Sequence, residues 1–509
     1  MMIEHRVMSW WRVSLVVMGL ASGCTKPNPK SCQDGTCTDP AFPFCDVDGA
    51  LAGEAETCIA VACTANEFVA CRGDRAITCN ATGTDYELVQ CDRGCDAAAS
   101  GCRLCDPSET ACTNGTVATC DSSGVVVTTE ACTLGCFENE PRCREIAPSN
   151  GLAPYMDMAA SGPDLVLENA TVFVPSGIIM SSAGPITIAS PIVPAVQNGV
   201  RIQIFPVRSL TVIGTLDVRG SQADDVPAVA FLVHGEVRID GSIHLSGSEP
   251  FETVTSPPGS VISGPCVGTG GTFDVAGQPA WGAGGGGGGG ATQGGAGGSN
   301  WKWPGSSGGV AFPNPDLQPL RGGCRGGGHP SQPPTHGGGA IQITSRESIR
   351  LGPNSTIRAN GGWGFIGETP SGEVPGNEGM PKGGGAGGGI LLEAPSVMFD
   401  SGVKLTADGG GGASGDGDAG SSSAGGLPSL GGTCTISPTI CTNGGDGGSS
   451  AGPSRTAASI STTGLQQVYT GAGGGSVGHI RINTRDSAYT KANDAHESPV
   501  PSTGTIGTR

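Results

Sequence analysis

The chain has 509 residues, of which 90 are glycine and 37 are proline. Together these two types make up about a quarter of the sequence, a level that favours disorder or a repetitive architecture. Charged residues account for only 14% and aromatic residues for 4%, which fits neither an ordinary globular enzyme nor a highly charged disordered chain. The net charge of −18 argues against nucleic acid as a partner, because a phosphate backbone must be met by clustered Lys and Arg.

The N-terminal segment 1–23 has the pattern of a secretory signal: basic Arg6 and Arg12, then the apolar run Val13–Leu20. This run is shorter than the roughly 20 residues that a membrane-spanning helix needs. The sequence Leu20-Ala21-Ser22-Gly23-Cys24 resembles a bacterial lipobox, whose cysteine is acylated and becomes the first residue of the mature protein. It predicts lipid attachment at Cys24 and contact with the membrane through that lipid. The alternative is a plain secretory signal with Cys24 as an ordinary cysteine.

The cysteine count supports lipidation, because 21 is odd and exported proteins usually pair their thiols. Setting Cys24 aside leaves 20 cysteines, enough for ten disulfides in an oxidising compartment. The disulfide candidates are Cys32, Cys37, Cys45, Cys58, Cys63, Cys71, Cys79, Cys91, Cys95, Cys102, Cys105, Cys112, Cys120, Cys132, Cys136, Cys143, Cys266, Cys324, Cys434 and Cys441.

Two tandem copies of a six-cysteine module follow a four-cysteine unit at 24–62. The copy at 63–104 and the copy at 105–147 match with five cysteine pairs 41 residues apart and the first pair 42 apart. Gly83 and Gly124 follow equivalent cysteines and predict the same tight turn with positive φ. Modules this small cannot be held by apolar burial alone, so disulfides are expected, with a pairing that the spacing leaves open.

Zinc is the competing interpretation of the cysteine modules. The only Cys-x2-Cys spacing, at Cys102 and Cys105, falls at the junction of the two copies, and no histidine lies between Cys24 and Asn150. We therefore predict disulfides and no metal or cofactor.

The remaining region, 148–509, contains short apolar segments that end in glycine or asparagine. Leu210–Gly220 aligns with Val237–Gly247, and Ile349–Gly361 aligns with Val397–Gly409 at a spacing of 48 residues. Their period-two alternation is typical of half-buried strands. The pattern predicts a mainly β protein: disulfide-rich small repeats followed by a glycine-rich, right-handed parallel β-helix, whose stacked coils share one core. A β-sandwich remains the alternative.

Glycine-rich insertions interrupt this ladder at about 264–339, 361–389 and 409–475. They are either flexible loops or extended threefold strands that pack side by side like polyproline II. Cysteines and tryptophans within them favour at least partial order, and the sequence leaves both alternatives open.

No motif predicts catalysis. Asp416-Gly417-Asp418 lacks the further ligands of a calcium loop, and His329 and His336 are expected on a loop surface rather than at a metal. A polysaccharide lyase or hydrolase would need grouped carboxylates or calcium with a nearby base, and no such pair stands out. The outward positions of the aligned coils predict instead a partly cationic stripe, which is either a grip for an anionic glycan or a solvated face: Asp217, His244, Arg358, Lys404, Arg238 and Arg350.

The chain after Cys24 resembles a set of cell-surface lipoproteins from myxobacteria and their relatives. The resemblance is carried by the lipobox, by Phe44–Gly49, by the 41-residue cysteine repeat and by the ending Gly474–Asn483. It implies exposure at the cell envelope, at the outer membrane or cell surface, and transfers no biochemical activity. The resulting expectation is a non-catalytic structural or adhesive protein that contacts extracellular glycan or matrix, with a polysaccharide-cleaving enzyme and a passive envelope protein as alternatives.

Overall fold

The computed structural model describes residues 31–509 with short gaps. The gaps are 33–34, 50, 53, 98–99, 104, 123, 125–126, 138–139, 195–199, 221–225, 248–255, 262, 272–280, 329–334, 366–380, 416–418, 422–428, 436–440, 450–451 and 462–467. The predicted signal segment, Cys24 and the Asp416–Asp418 motif lie outside the described residues.

The chain forms two compact units, the first containing the residues up to Ala131 with Cys136–Arg142, and the second containing Cys132–Gly135 with Cys143–Arg509. The first unit consists of short antiparallel sheets. Its strands are β1 (Phe44–Asp46), β2 (Thr57–Ile59), β3 (Phe68–Arg72), β4 (Arg75–Cys79), β5 (Tyr86–Gln90), β6 (Cys95–Asp96), β7 (Gly101–Cys102), β8 (Thr110–Thr113), β9 (Thr116–Cys120) and β10 (Val127–Ala131).

The two cysteine modules repeat in structure as well as in sequence. In each copy three antiparallel strands form a meander, β3-β4-β5 in the first and β8-β9-β10 in the second. Gly83 and Gly124 both have positive φ, at 73° and 75°, as predicted. A Cβ at Gly124 would lie 2.5 Å from the carbonyl oxygen of Cys105, so glycine is required there by space as well as by conformation.

Ten disulfides are present, and the disulfide-rich character predicted from the sequence is confirmed. Both six-cysteine modules join their first cysteine to the third, the second to the fifth and the fourth to the sixth. The pairs are 32–45, 37–58, 63–79, 71–95, 91–102, 105–120, 112–136, 132–143, 266–324 and 434–441.

These pairings bear on the zinc alternative. The sulfur atoms of Cys32, Cys37 and Cys58 lie within 4.8 Å of one another, but each belongs to a disulfide and so offers no thiolate to a metal ion. Cys102 and Cys105 bond to different partners, Cys91 and Cys120.

The second unit contains one short helical region and two large, mainly parallel sheets. The helices are a 3-10 turn (Ala153–Tyr155) and α1 (Met156–Ala160). Its strands are β11 (Ile146–Ala147), β12 (Asp164–Phe173), β13 (Ile178–Ser181), β14 (Gly184–Thr187), β15 (Ile192–Pro194), β16 (Arg201–Val207), β17 (Ser209–Arg219), β18 (Ala228–Val233), β19 (Val237–Ile239), β20 (Ser242–His244), β21 (Trp281–Gly282), β22 (Ala340–Ser345), β23 (Ser348–Leu351), β24 (Thr356–Arg358), β25 (Gly389–Glu393), β26 (Ser396–Phe399), β27 (Lys404–Thr406), β28 (Val468–Tyr469), β29 (His479–Thr484), β30 (Thr490–Lys491), β31 (His496–Ser498), β32 (Ser502–Thr505) and β33 (Gly507–Thr508).

Strands that follow one another in the chain alternate between the two sheets. A strand of the seven-stranded sheet (β18, β22, β25 or β29) is followed each time by two short strands of the twelve-stranded sheet. The long strand β17 begins this pattern, because its first half pairs with β19 and its second half with β20. The parallel pairing β23 to β26 and β24 to β27 has the 48-residue spacing predicted from the sequence.

Columns of aliphatic side chains from successive strands form the main core. One column joins Leu210, Val237, Ile349 and Val397, all of them buried. On the facing sheet, Phe205 stacks on Phe231 with ring centroids 5.2 Å apart. Each fully buried side chain of this kind contributes about 1.5–3 kcal/mol relative to an exposed one, so the stacked strands stabilise one another through this shared core.

The segment Gly284–Gly290 shows how the glycine-rich insertions are packed. Its backbone N–H groups reach three neighbouring segments in turn, with a repeat of three residues and N···O distances of 2.7–3.0 Å. The donor and acceptor pairs are Gly285 to Pro381, Gly286 to Thr269, Gly287 to Gly295, Gly288 to Gly384, Gly289 to Cys266 and Gly290 to Thr292. Three residues per turn with bonding between chains is the geometry of extended polyproline II-like helices.

Three further segments pack closely against the Cα atoms of Gly284–Gly290. A Cβ added at any residue of Gly284–Gly290 would lie 1.9–2.4 Å from a backbone carbonyl oxygen of segments 471–477, 324–327 or 307–310. We call these packed segments the glycine bundle: 266–270, 284–298, 305–310, 323–328, 335–339, 381–388 and 471–478. The flexible-loop alternative is therefore wrong for the described part of the insertions, where glycine allows the backbones to approach.

Candidate binding surface

The predicted stripe of outward side chains is only partly in register. Asp217, His244 and Arg358 lie side by side on β17, β20 and β24, as expected. Lys404 does not continue this column, because Arg358 is paired with Thr406, and Lys404 lies two residues earlier on the same strand, beside Thr356. The 48-residue alignment is correct here, and the prediction was wrong only in assigning Lys404 to the column of Arg358.

Asp217 is neutralised locally. His244 Nδ1 lies 3.4 Å from its carboxylate, and Arg219 Nη2 lies 3.4 Å away. The hydrogen bond from His244, together with the positive charges of Arg219 and His244, holds the pKa of Asp217 below its usual range against the opposing effect of burial.

Arg238 and Arg350 are also paired with carboxylates, so these two arginines add less positive charge to the stripe than predicted. The two arginines lie opposite each other on β19 and β23. Arg238 Nε is 2.6 Å from Asp240, and Arg350 Nη2 is 2.9 Å from Asp400. Each acid lies just beyond the strand end, where it cancels the like-charge repulsion between the neighbouring arginines.

We expect Asp240→Asn and Asp400→Asn each to lower the urea midpoint slightly at low salt and hardly at all at 1 M NaCl, because exposed ion pairs are weak and screened. The double variant should lose more than the sum of the single variants, since Arg238 and Arg350 would then repel without a neighbouring anion. Strictly additive losses, or losses that 1 M NaCl does not reduce, would contradict this account.

His336 is buried rather than on a loop surface, which corrects the sequence-based expectation; His329 lies outside the described residues. The side chain of His336 is 5% exposed, and neither ring nitrogen has a hydrogen-bond partner. Burial, with a smaller effect from the charge of Arg325, lowers the pKa of His336 to about 4. A neutral, unpartnered imidazole in the glycine bundle is the consequence.

Lys382 and Glu393 are two of the buried charged residues that were not singled out from the sequence. Lys382 lies inside the bundle with its Nζ 3.9 Å from the ring centroid of Phe365, and burial lowers its pKa to about 8. Only its position between Pro381 and the glycines that follow could have drawn attention to it.

Glu393 is the second, and its carboxylate is held by a hydrogen-bond network. It accepts from Ser149 Oγ at 2.6 Å, Gln342 Nε2 at 2.7 Å, Thr344 Oγ1 at 3.0 Å and Asn483 Nδ2 at 3.0 Å. A buried carboxylate satisfied in this way has a structural role, fixing the segment around Ser149 on the seven-stranded sheet.

A tight turn at Asn300–Trp303 presents aromatic side chains at one end of two bundle segments. Trp301 is 45% exposed, more than any other aromatic side chain that the structure describes, and Trp303 is half-buried. The side-chain oxygen of Asn300 accepts hydrogen bonds from the backbone N–H of Lys302 at 3.0 Å and of Trp303 at 2.7 Å. The sequence analysis noted these tryptophans only as a sign of order.

Among the described residues, the cysteine cluster already engaged in disulfides is the only group of at least three His, Cys, Asp or Glu side chains with ligand atoms close enough to share an ion. Within the same part of the chain, no helix combines the length and apolar character needed to cross a membrane.

Comparison with known proteins gives no relative from which to transfer a function. No protein-family model matches the chain, and neither the curated proteins nor the solved structures yield a significant match.

Proposed function

We propose that the chain is an exported bacterial lipoprotein of the cell envelope, anchored through Cys24, with a structural or adhesive role at the cell surface. The observation that carries this proposal is the cysteine arrangement. The ten disulfides use every cysteine of the sequence except Cys24, which stands at the lipobox-like site. Disulfides at this density belong to an oxidising compartment.

The resemblance to myxobacterial cell-surface lipoproteins supports the same proposal. The structure of the described residues supports it as well, because disulfides, columns of buried aliphatic side chains and packed glycine backbones all stabilise a rigid scaffold. We further propose that the alternating parallel strands of the second unit form a right-handed β-helix, the hand that parallel crossover connections almost always take. Such a scaffold would present surface groups at fixed spacing, so that many weak contacts with glycan or matrix add together.

Intact mass spectrometry of the membrane-extracted protein, with and without reduction before alkylation, tests the anchor and the compartment. The expected result is an N-terminus at Cys24 carrying acyl mass, with 20 alkylated thiols appearing only after reduction. An unacylated Cys24, or thiols that react in the native protein, would overturn the proposal.

The adhesive role is tested by cell cohesion and matrix retention in cells that lack the protein and in cells complemented with wild type or Cys24→Ala. Wild type should restore both properties, while Cys24→Ala should be released from the envelope and restore neither. If cells lacking the protein adhere normally, the adhesive role is wrong even when the lipid is present.

A further inference from the structure

We propose that Arg358 and Lys404, on the outer face of the twelve-stranded sheet, bind the carboxylate or sulfate groups of an acidic polysaccharide. This inference rests on the adhesive role proposed above and specifies its ligand class. Arg358 lies beside Thr406 and Lys404 lies beside Thr356 on the paired strands β24 and β27, so the two cations are diagonal neighbours. A strand spacing of about 4.8 Å and a rise of about 3.3 Å per residue place their Cα atoms about 8 Å apart.

Both cations face away from the core. Ile357 and Leu405, which adjoin them in the chain, are completely buried in the aliphatic columns. Because successive side chains of a strand point to opposite faces, Arg358 and Lys404 lie on the outer face, where each is partly exposed. A ligand in solution can therefore reach them.

Arg358 and Lys404 differ from the other cations of this face in having no carboxylate partner. Arg238 and Arg350 each form an ion pair with an acid at a strand end. Among the residues that the structure describes, no Asp or Glu forms an ion pair with Arg358 or Lys404. The chain has 45 acidic and 27 basic residues, so two adjacent cations without an acid are unexpected.

The nearest acids along these strands are engaged elsewhere. Asp217 lies two strands away from Arg358, beside His244, and is paired with His244 and Arg219. Asp408 follows Thr406 by two residues, but it is completely buried and accepts a hydrogen bond from Ser498.

The two positive charges are consequently not compensated by the described part of the chain. The Nε of Arg358 is buried without a hydrogen-bond partner, so internal contacts do not account for this guanidinium. Like charges on neighbouring strands repel each other, and their separation is comparable with the Debye length at physiological salt. One bound anion can therefore interact with both cations and relieve their repulsion.

The surroundings of the pair favour a polysaccharide over nucleic acid or an anionic membrane. Thr215, Ser242 and Thr356 occupy the positions equivalent to Lys404 on the preceding strands, and Thr215 and Ser242 are partly exposed. Their hydroxyl groups can exchange hydrogen bonds with sugar hydroxyls. Nucleic acids need clustered Lys and Arg along the backbone, and anionic membranes recruit clusters of four to eight such residues. Two cations beside hydroxyl groups instead match a polymer with many hydroxyls and occasional acids.

The test uses the full chain in detergent, with polygalacturonate and dextran sulfate as anionic probes, neutral dextran as the uncharged probe and calorimetry as the readout. Arg358→Gln and Lys404→Gln should each weaken binding of the anionic probes about fivefold, the upper range for a partly exposed ion pair. The double variant should lose about twentyfold, and Lys404→Arg should bind like wild type. Neutral dextran should not bind, and added NaCl should weaken binding of the anionic probes.

Arg455→Gln is the matched control, because it removes the same charge outside the site. The Arg455 side chain is 76% exposed and lies 3.6 Å from Asp446 in the third glycine-rich insertion. This variant should bind the anionic probes like wild type. Urea midpoints equal to that of wild type would show that the variants fold, as expected for changes at partly exposed positions.

The inference is overturned if neither anionic probe binds, if the double variant binds like wild type, or if Arg455→Gln loses as much affinity as the site variants. Binding to phosphatidylglycerol vesicles that depends on Arg358 and Lys404, without binding to the polysaccharides, would replace it with a membrane contact. If the double variant restores cell cohesion fully, this contact is wrong and the adhesive role stands. If cells lacking the protein cohere normally, the adhesive role itself fails, whatever the calorimetry shows.

Discussion

Replacing Gly287 by alanine is expected to unfold the glycine bundle or to destabilise it by about 3 kcal/mol or more. A Cβ at this position would lie 1.9 Å from the carbonyl oxygen of Gly474 and 2.4 Å from its carbonyl carbon. Because the opposing atoms are backbone, no side chain can rotate away, and separating the two segments would also strain the hydrogen bond from Gly287 to Gly295. Urea unfolding followed by tryptophan fluorescence measures the effect, since the tryptophans after residue 30 (281, 301, 303 and 363) all lie in the second unit.

Gly452→Ala is the matched control for this prediction. Gly452 lies in the third glycine-rich insertion, its φ is not positive, and a Cβ there would meet nothing within 4 Å. Alanine should therefore be neutral or slightly stabilising at this position, because it restricts the unfolded chain. Similar urea midpoints for Gly287→Ala and wild type would mean that the insertions are not packed as described.

Lowering the pH from 7 to 4 should destabilise the second unit through His336, by about 3 kcal/mol for the pKa difference between about 6.5 unfolded and about 4 folded. Between these two values the unfolded chain binds more protons than the folded chain, so stability rises with pH and is lost as pH falls. The reason is that protonation places a charge on a buried ring with no hydrogen-bond partner. His479, whose pKa is also lowered by burial, adds to the loss in the same direction.

His336→Leu isolates this contribution. The variant should be at least as stable as wild type at pH 7, because it removes two unpartnered nitrogens, and its urea midpoint should fall less between pH 6.5 and pH 4. Carboxylates such as Asp164, with a pKa lowered to about 2 by its hydrogen bonds with Arg208 and Ser209, lose their contribution only as pH falls further. A variant with the same slope as wild type between pH 6.5 and pH 4 would show that His336 is protonated without cost.

The strand ladder could be predicted because its signal is local and periodic. Apolar residues at every second position, ending in glycine, place Ile349 beside Val397 and Ile357 beside Leu405 from sequence alone, and the structure has both pairs. The number of disulfides could likewise be predicted from the odd cysteine count without knowing the fold, whereas the pairing of the cysteines could not. Spacing leaves fifteen pairings for six cysteines, and only the three-dimensional meander selects one.

The glycine bundle could not be predicted in the same way. A glycine run has the same composition whether it is a loose loop or a packed threefold strand, and the contacts that decide lie far away in sequence, as between Gly287 and Gly474. The pairing of the stripe arginines with carboxylates could not be predicted for a related reason. Arg350 is paired with Asp400, which is 50 residues further along the chain. Asp400 follows β26 directly, and β26 is the strand that pairs with β23, which carries Arg350.

The packing of glycine backbones against one another also sets how this part of the protein responds to temperature. The surface that the bundle buries around Gly284–Gly290 is made largely of peptide groups rather than hydrocarbon. Exposure of apolar surface raises the heat capacity on unfolding, whereas exposure of polar surface lowers it. The bundle should therefore have a smaller heat-capacity increment per residue than the aliphatic columns beside it. Its stability should vary less with temperature and decline less in the cold, where hydrophobic burial weakens.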